Sequence, residues 1–271
     1  MLENFRFFAF AYLDDWWQYD SLFVKFLSLD QNREVRLHWL GEAANYYQVS
    51  RRFKGIETKG WGKALDALDE MGNGITQENV DSTVSTLAKK LKSAYDTSGE
   101  ELSAASKFLW IRHQSPALVY DSRACTCLTA LGEKMAGDYT GYRNAWLGRF
   151  DKREESIRLA SAELVPLKDF APDEETAQCL GSIVATRWFH ERVFDKFLWW
   201  NGKGNGSASR SSAARRRRNT KEMKSRAQEL GILDAINEEA EGIAQASHEE
   251  WKAKQANRTA ESKARRENEP R

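Results

Sequence analysis

The stretch PDEETAQCLGSIVATRWFHERVFDKFLW, residues 172–199, decides the fold class of this chain. Pro172-Asp173-Glu174-Glu175 places acidic side chains in a first turn, where the positive end of a helix dipole favours them. Downstream, Ile183, Trp188, Val193, Phe194, Phe197 and Leu198 recur at the spacing of one helical face. The segment is predicted to form one long core helix. The same spacing runs through most of 1–200 and predicts helices near 34–53, 61–71, 78–95, 100–112, 122–136 and 141–163. Breaks are expected at Gly72-Asn73-Gly74, Ser98-Gly99, Ser115-Pro116 and Phe170-Ala171-Pro172. Period-2 runs rich in Val, Ile and Thr are missing, so the expectation is an all-α domain over 1–200, compact or two-lobed.

Composition sets the outer limits. A chain of 271 residues is long enough to bury a large core. It contains no apolar run near the roughly 20 residues that cross a bilayer, so no membrane partner is expected. Met1-Leu2-Glu3-Asn4-Phe5-Arg6 lacks the basic start and apolar core of an export signal. With only three cysteines as well, the expectation is a cytoplasmic protein. The charge is unevenly spread: residues 203–271 carry 16 basic and 11 acidic side chains, against 25 and 29 in 1–202. The Gly/Ser/Arg-rich stretch 201–218 buries little and reads as a linker. It ends in Arg215-Arg216-Arg217-Arg218, ahead of a charged helical tail, 219–271, with one apolar stripe (Leu230, Ile232, Leu233, Ile236, Ile243) able to meet a protein partner.

Several catalytic classes lack their residues. Cys125, Cys127 and Cys179 do not make a four-ligand zinc site and read as buried apolar thiols, so neither metal nor cofactor is expected. His190-Glu191 and His248-Glu249 have no second histidine four positions after the first, and no Gly-x-Ser-x-Gly elbow occurs. Gly202-x-Gly204-x-Gly206 follows no strand and reads as linker. Trp16, Trp17, Trp39, Trp61, Trp146, Trp188, Trp199 and Trp200 sit in apolar helical contexts and are expected in the core.

One stretch differs in kind: Ser103-Ala104-Ala105-Ser106-Lys107-Phe108-Leu109-Trp110, a Pro-containing turn, then Val119-Tyr120-Asp121-Ser122-Arg123-Ala124. A helix of small residues carries a lone Lys in an apolar run, and Asp121 stands before a second helix as an N-cap. By residue chemistry alone, Lys107 is a salt-bridge partner of Asp121, a snorkelling surface lysine or a buried amine with a lowered pKa, and Asp121 is a cap or a reactive carboxylate.

These residues resemble the helix-hairpin-helix DNA glycosylases, in particular their divergent bacterial 8-oxoguanine-DNA-glycosylase-like branch. Ala105–Leu109 is similar to the lysine-bearing helix of that superfamily and Val119–Ala124 to its catalytic aspartate segment. Asp138–Trp146 and Arg192–Trp199 are similar to later helices of the branch, so the likeness spans roughly 60–200. Asp96-Thr97-Ser98-Gly99-Glu100 stands where the superfamily has a Leu-Pro-Gly-x-Gly hairpin.

The resemblance implies a hydrolase that flips a damaged or modified base out of double-stranded DNA and cleaves its N-glycosidic bond, in repair or in defence against modified foreign DNA. Asp121 would stabilise the positive charge that builds at C1′. Lys107 would attack C1′ if the enzyme is also a lyase. Tyr120, Trp110 and Tyr142 are the candidates for a base pocket or wedge. Arg112, His113, Arg123 and Arg215, Arg216, Arg217 and Arg218 are the candidates for phosphate contact. Two other readings use the same residues: a non-catalytic helical nucleic-acid-binding module, and an α-helical protein-interaction protein in which 107–121 is ordinary core.

Overall fold

The computed structural model describes residues 1, 3–53, 55–202 and 220–233. Among them every regular element is helical: α1 (Phe5–Asp15), α2 (Ser21–Phe26), α3 (Arg33–Tyr46), α4 (Ile56–Lys59), α5 (Gly62–Asp69), α6 (Val80–Tyr95), α7 (Leu102–His113), α8 (Ser122–Ala130), α9 (Tyr139–Phe150), α10 (Glu154–Ala162), α11 (Glu174–Val184), α12 (Arg187–Asn201) and α13 (Thr220–Glu229). A π-type turn, Trp16–Asp20, joins α1 to α2, and 3-10 turns occupy Ser50–Arg52 and Val165–Phe170. The all-α expectation holds, and no helix among the described residues is long and apolar enough to cross a membrane.

Helix α12 is the hub. It packs against α1, α8, α10 and α11, while α6 and α7 form a hairpin supported by α5, α9 and α2. Phe189, Val193, Phe194, Phe197 and Leu198 of α12 are all fully buried, and the Phe194 ring meets Trp146 edge-on at 4.9 Å. Burying side chains of this size is the main favourable term, about 1.5–3 kcal/mol each.

The predicted single helix over 172–199 is two helices. Thr186 adopts an extended backbone and accepts from Phe189 N at 3.3 Å, capping α12, while His190 Nε2 lies 2.8 Å from the Val184 carbonyl that ends α11. A β-branched hydroxyl residue caps better than it continues a helix, so a second break falls there, in addition to the expected one at Phe170–Pro172, which separates the 165–170 turn from α11. The predicted helix over 141–163 also divides, into α9 and α10 on either side of Asp151–Arg153. Residues 5–26 lie outside the predicted elements and are helical throughout. Their apolar side chains surround the axis (Phe7, Phe8, Phe10, Leu13, Trp16 and Trp17 are buried), so no single stripe marks them.

Three of the eight tryptophans expected in the core are buried (Trp16, Trp17, Trp146), and the other five are half-buried at its edge. Cys127 is buried as expected and Cys125 half-buried; Cys179 is exposed, because its face of α11 looks outward. Met223 and Ala227 of α13 and the following Ile232 and Leu233 are buried, with α13 against the 165–170 turn. Arg215–Arg218, Ile236 and Ile243, and with them nearly all of the proposed linker, lie outside the described residues.

Candidate active site

The α6–α7 hairpin turns through Asp96, whose φ of 54° places it in the left-handed region, and through Thr97, which donates from Oγ1 to the Gly99 carbonyl at 2.8 Å. This delivers Lys107 on the second helix of the hairpin. The chain then leaves α7 in an irregular run, 117–121, with a problem to solve: its backbone polar groups have no sheet partner, and residues 117–119 are buried.

Side chains supply the partners. The Tyr139 hydroxyl accepts from Leu118 N and donates to the Leu118 carbonyl, each at 2.8 Å. Tyr142 Oη donates to the Val119 carbonyl at 2.7 Å, and Ser106 Oγ accepts from Tyr120 N at 2.9 Å. The run is thereby pinned beside α7, and it ends on Asp121.

Asp121 divides its two oxygens. Oδ1 accepts from Arg123 N at 2.9 Å and caps α8; Oδ2 lies 3.3 Å from Lys107 Nζ. The Lys107 side chain is only 5% exposed against 24% for Asp121, so the pair is buried on the amine side and open on the acid side. Nζ also donates to Ser103 Oγ at 2.9 Å. Burial pulls the Lys107 pKa below the ordinary lysine value, opposed by the Asp121 carboxylate that favours the ammonium. Lys107 and Asp121, fourteen residues apart in sequence, thus meet. Neither lines the nearby cleft of about 390 Å³, whose walls are Arg52, Glu100, Glu101, Leu102, Ser103, Tyr120 and Gly137; Ser103, which accepts from Nζ, and Tyr120, next to Asp121 in the chain, connect it to the pair. Glu101 is buried and is held by Arg52 Nε at 3.0 Å.

The other candidates are dispersed. Tyr120 lines the cleft, half-buried, with its phenol pushed up to about 12 by burial. Trp110 and Tyr142 are packed in the core: the Arg192 guanidinium sits 4.6 Å over the Trp110 ring, and Tyr142 meets Tyr120 edge-on at 4.8 Å. The Arg112 side chain is buried and donates to Asp69 Oδ1 at 2.8 Å, a carboxylate it shares with Arg36. His113 is half-buried, and burial, with help from Arg112, pushes its pKa down to about 4. Arg123 packs its guanidinium 4.5 Å over the Trp199 ring, next to the cap. Gly202, closing α12, lies so near this turn that a Cβ would fall 1.9 Å from the Arg123 carbonyl oxygen.

Sequence reading missed a buried charge cluster behind Lys107. Arg192 Nη1 donates to Asp195 Oδ2 at 2.9 Å, and Nη2 reaches Asp20 Oδ2 at 3.4 Å and the Tyr47 hydroxyl at 3.2 Å. Tyr47 donates to Asp20 Oδ1 at 2.8 Å, Tyr12 to Asp20 Oδ2 at 3.3 Å, and Trp146 Nε1 to Asp195 Oδ1 at 2.9 Å. Burial raises the Asp195 pKa to about 6 and raises that of Asp20, with Arg192 opposing in both. A signal was available: Arg192 and Asp195 sit three apart within the apolar face of α12, where an unpaired charge is too costly to keep.

The Arg192 cluster acts on the paired amine through Arg192 and Asp195. No family model, curated protein or solved structure matches this chain.

Proposed function

We propose that the chain is a DNA N-glycosylase that excises a damaged or modified base, with Asp121 and Lys107 at its reaction centre. The observation that carries this reading is the meeting of a buried Lys107 with a partly open Asp121, with Ser103 and Tyr120 linking the pair to a neighbouring cleft. Breaking an N-glycosidic bond sends the bonding electrons out with the base and leaves positive charge on the sugar, which a carboxylate next to C1′ stabilises. Asp121 Oδ2 supplies that charge while Oδ1 stays committed to the cap, so the reacting oxygen is held in place. Lys107, having given one proton to the departing base, attacks C1′ through its Nζ lone pair; transfer of a second proton from Nζ to O4′ then breaks the C1′–O4′ bond and gives a Schiff base. Burial favours the neutral amine this requires.

A flipped base entering the cleft meets Tyr120. The rim carries Glu100 and Glu101 as well as Arg52, so phosphate neutralisation falls to basic residues elsewhere. In this reading Arg215–Arg218 provide the densest such run. The non-catalytic alternative draws on one observation too: Lys107 and Asp121 already satisfy each other as an ion pair, as core residues of a binding module would.

Duplexes each bearing one damaged or modified base, incubated with the protein and probed for abasic sites, separate the two. Base release that is lost in Asp121→Asn, with a borohydride-trapped adduct lost in Lys107→Gln, supports the enzyme. Release that persists unchanged in Asp121→Asn refutes the assignment of Asp121. Absence of release and of binding across the panel refutes the DNA glycosylase.

A further inference from the structure

An ammonium group carries three N–H donors. At Lys107 the Ser103 hydroxyl and the Asp121 carboxylate take two of them. The ring of Tyr47, the residue that ends α3, lies 5.7 Å from Nζ, measured to its centroid. That is inside the roughly 6 Å at which an aromatic face attracts a cation. The ring's position is fixed by its hydroxyl, held between Asp20 and Arg192, and Tyr46 packs edge-on against it at 5.0 Å.

What stands beyond the ring matters as much. The charged groups that act on Lys107 are Asp121 from the α8 cap and Arg192 and Asp195 from α12. Asp20, from the π-type turn, is held by the far side of Tyr47. Asp20 and Asp195 share the Arg192 guanidinium, and at Lys107 the charge of Arg192, which disfavours the ammonium, outweighs that of Asp195, which favours it. A lysine side chain is long and flexible enough to swing away from that repulsion unless something holds it.

We propose that Tyr47 is the positioning residue of Lys107: its ring is the third partner of the ammonium, holding Nζ on Asp121 against the repulsion of Arg192, whose guanidinium lies 5.8 Å from the centroid of the same ring. The ring favours the charged amine, so it also sets how much neutral nucleophile exists at a given pH. That catalytic consequence rests on the glycosylase reading; the positioning itself does not.

The test reads the Lys107 titration in the full chain without DNA, by carbon NMR of protein labelled at lysine Cε. The resonance is assigned by its loss in Lys107→Gln. Tyr47→Phe keeps the ring and loses the hydroxyl; trifluorophenylalanine at position 47 keeps the same shape but drains charge from the ring face. Between these two proteins the Lys107 pKa is expected to fall by about half a unit to one unit. Equal values overturn the proposal. Should Tyr47→Phe fail to fold, difluorotyrosine at 47 against the wild type makes the comparison with the hydroxyl retained, read over the pH range in which ultraviolet absorbance shows the fluorinated phenol to be neutral. Base release by the same proteins is scored separately. A titration that follows the ring in a protein releasing no base keeps the positioning role and removes the glycosylase; a flat titration in an active enzyme does the reverse.

Discussion

Asp121→Asn tests the pairing of Lys107 through stability, independently of any activity. The amide keeps an oxygen for the Arg123 N–H, so the α8 cap survives, but the counter-charge 3.3 Å from Nζ is gone. Removing one partner of a buried ion pair costs about 3–5 kcal/mol. Here the carboxylate is 24% exposed and the ammonium keeps Ser103 and the Tyr47 ring, so about 2 kcal/mol is expected at pH 7. Loss of the proton caps the penalty, since neutralising a lysine at pH 7 costs about 1.4 kcal/mol for each unit below its ordinary 10.5, or about 5 kcal/mol.

The pH dependence follows from the sign of the shift. With the folded-state pKa of Lys107 pulled further below its unfolded value, the unfolded chain binds more protons in the window between the two. The variant therefore gains stability as pH rises, and its deficit narrows from pH 7 toward pH 10. Urea unfolding followed by far-ultraviolet circular dichroism at pH 7, 8 and 9 reads this as a midpoint shift at constant slope. Asp121→Ala, which also loses the cap, should fall about 1 kcal/mol lower still. An Asp121→Asn protein within about 0.5 kcal/mol of wild type, with no trend in pH, would refute the pairing on which the site is built.

Glu191 offers a second pH test: burial raises its pKa to about 7, opposed by Arg187, so the folded state holds a proton that the unfolded state has lost between about pH 4.5 and 7. Stability attributable to it falls as pH rises through that window, and Glu191→Gln should be near neutral at pH 5 and stabilising at pH 8 by up to about 3 kcal/mol. Thermal melts whose difference from wild type is the same at both pH values would contradict this. Gly202→Ala forces a Cβ into the Arg123 carbonyl and should cost about 1–3 kcal/mol while loosening the start of α8. Hydrogen exchange at the amides of 123–125 should accelerate; unchanged protection there would show that α12 does not buttress the cap.

Much of this architecture was legible because helices are local objects. An acidic first turn at Glu174-Glu175, an Asp ahead of Ser122 and apolar residues at helical spacing each act within a few residues, and each is found where the sequence puts it. The Lys107 and Asp121 candidates were legible for a related reason: a lone charge in an apolar run and a cap are both departures from a local pattern. Partnership is not local. That Lys107 spans fourteen residues to Asp121 depends on the side chains of Ser106, Tyr139 and Tyr142 pinning an irregular run beside α7, and no periodicity encodes that. The same holds for Arg192, whose guanidinium joins α12 to Asp20 from the far end of the chain. It holds too for Trp110 and Tyr142, which aromatic chemistry suits equally to a base pocket or to a core. Sequence alone determined the helical class and the start of helices marked by a local cap or acidic turn, such as α8 and α11, but not the breaks within 172–199 and 141–163 or the helices of 5–26. Tertiary structure decided which buried charges meet, because the cost of leaving one unpaired is settled only when distant helices close over it.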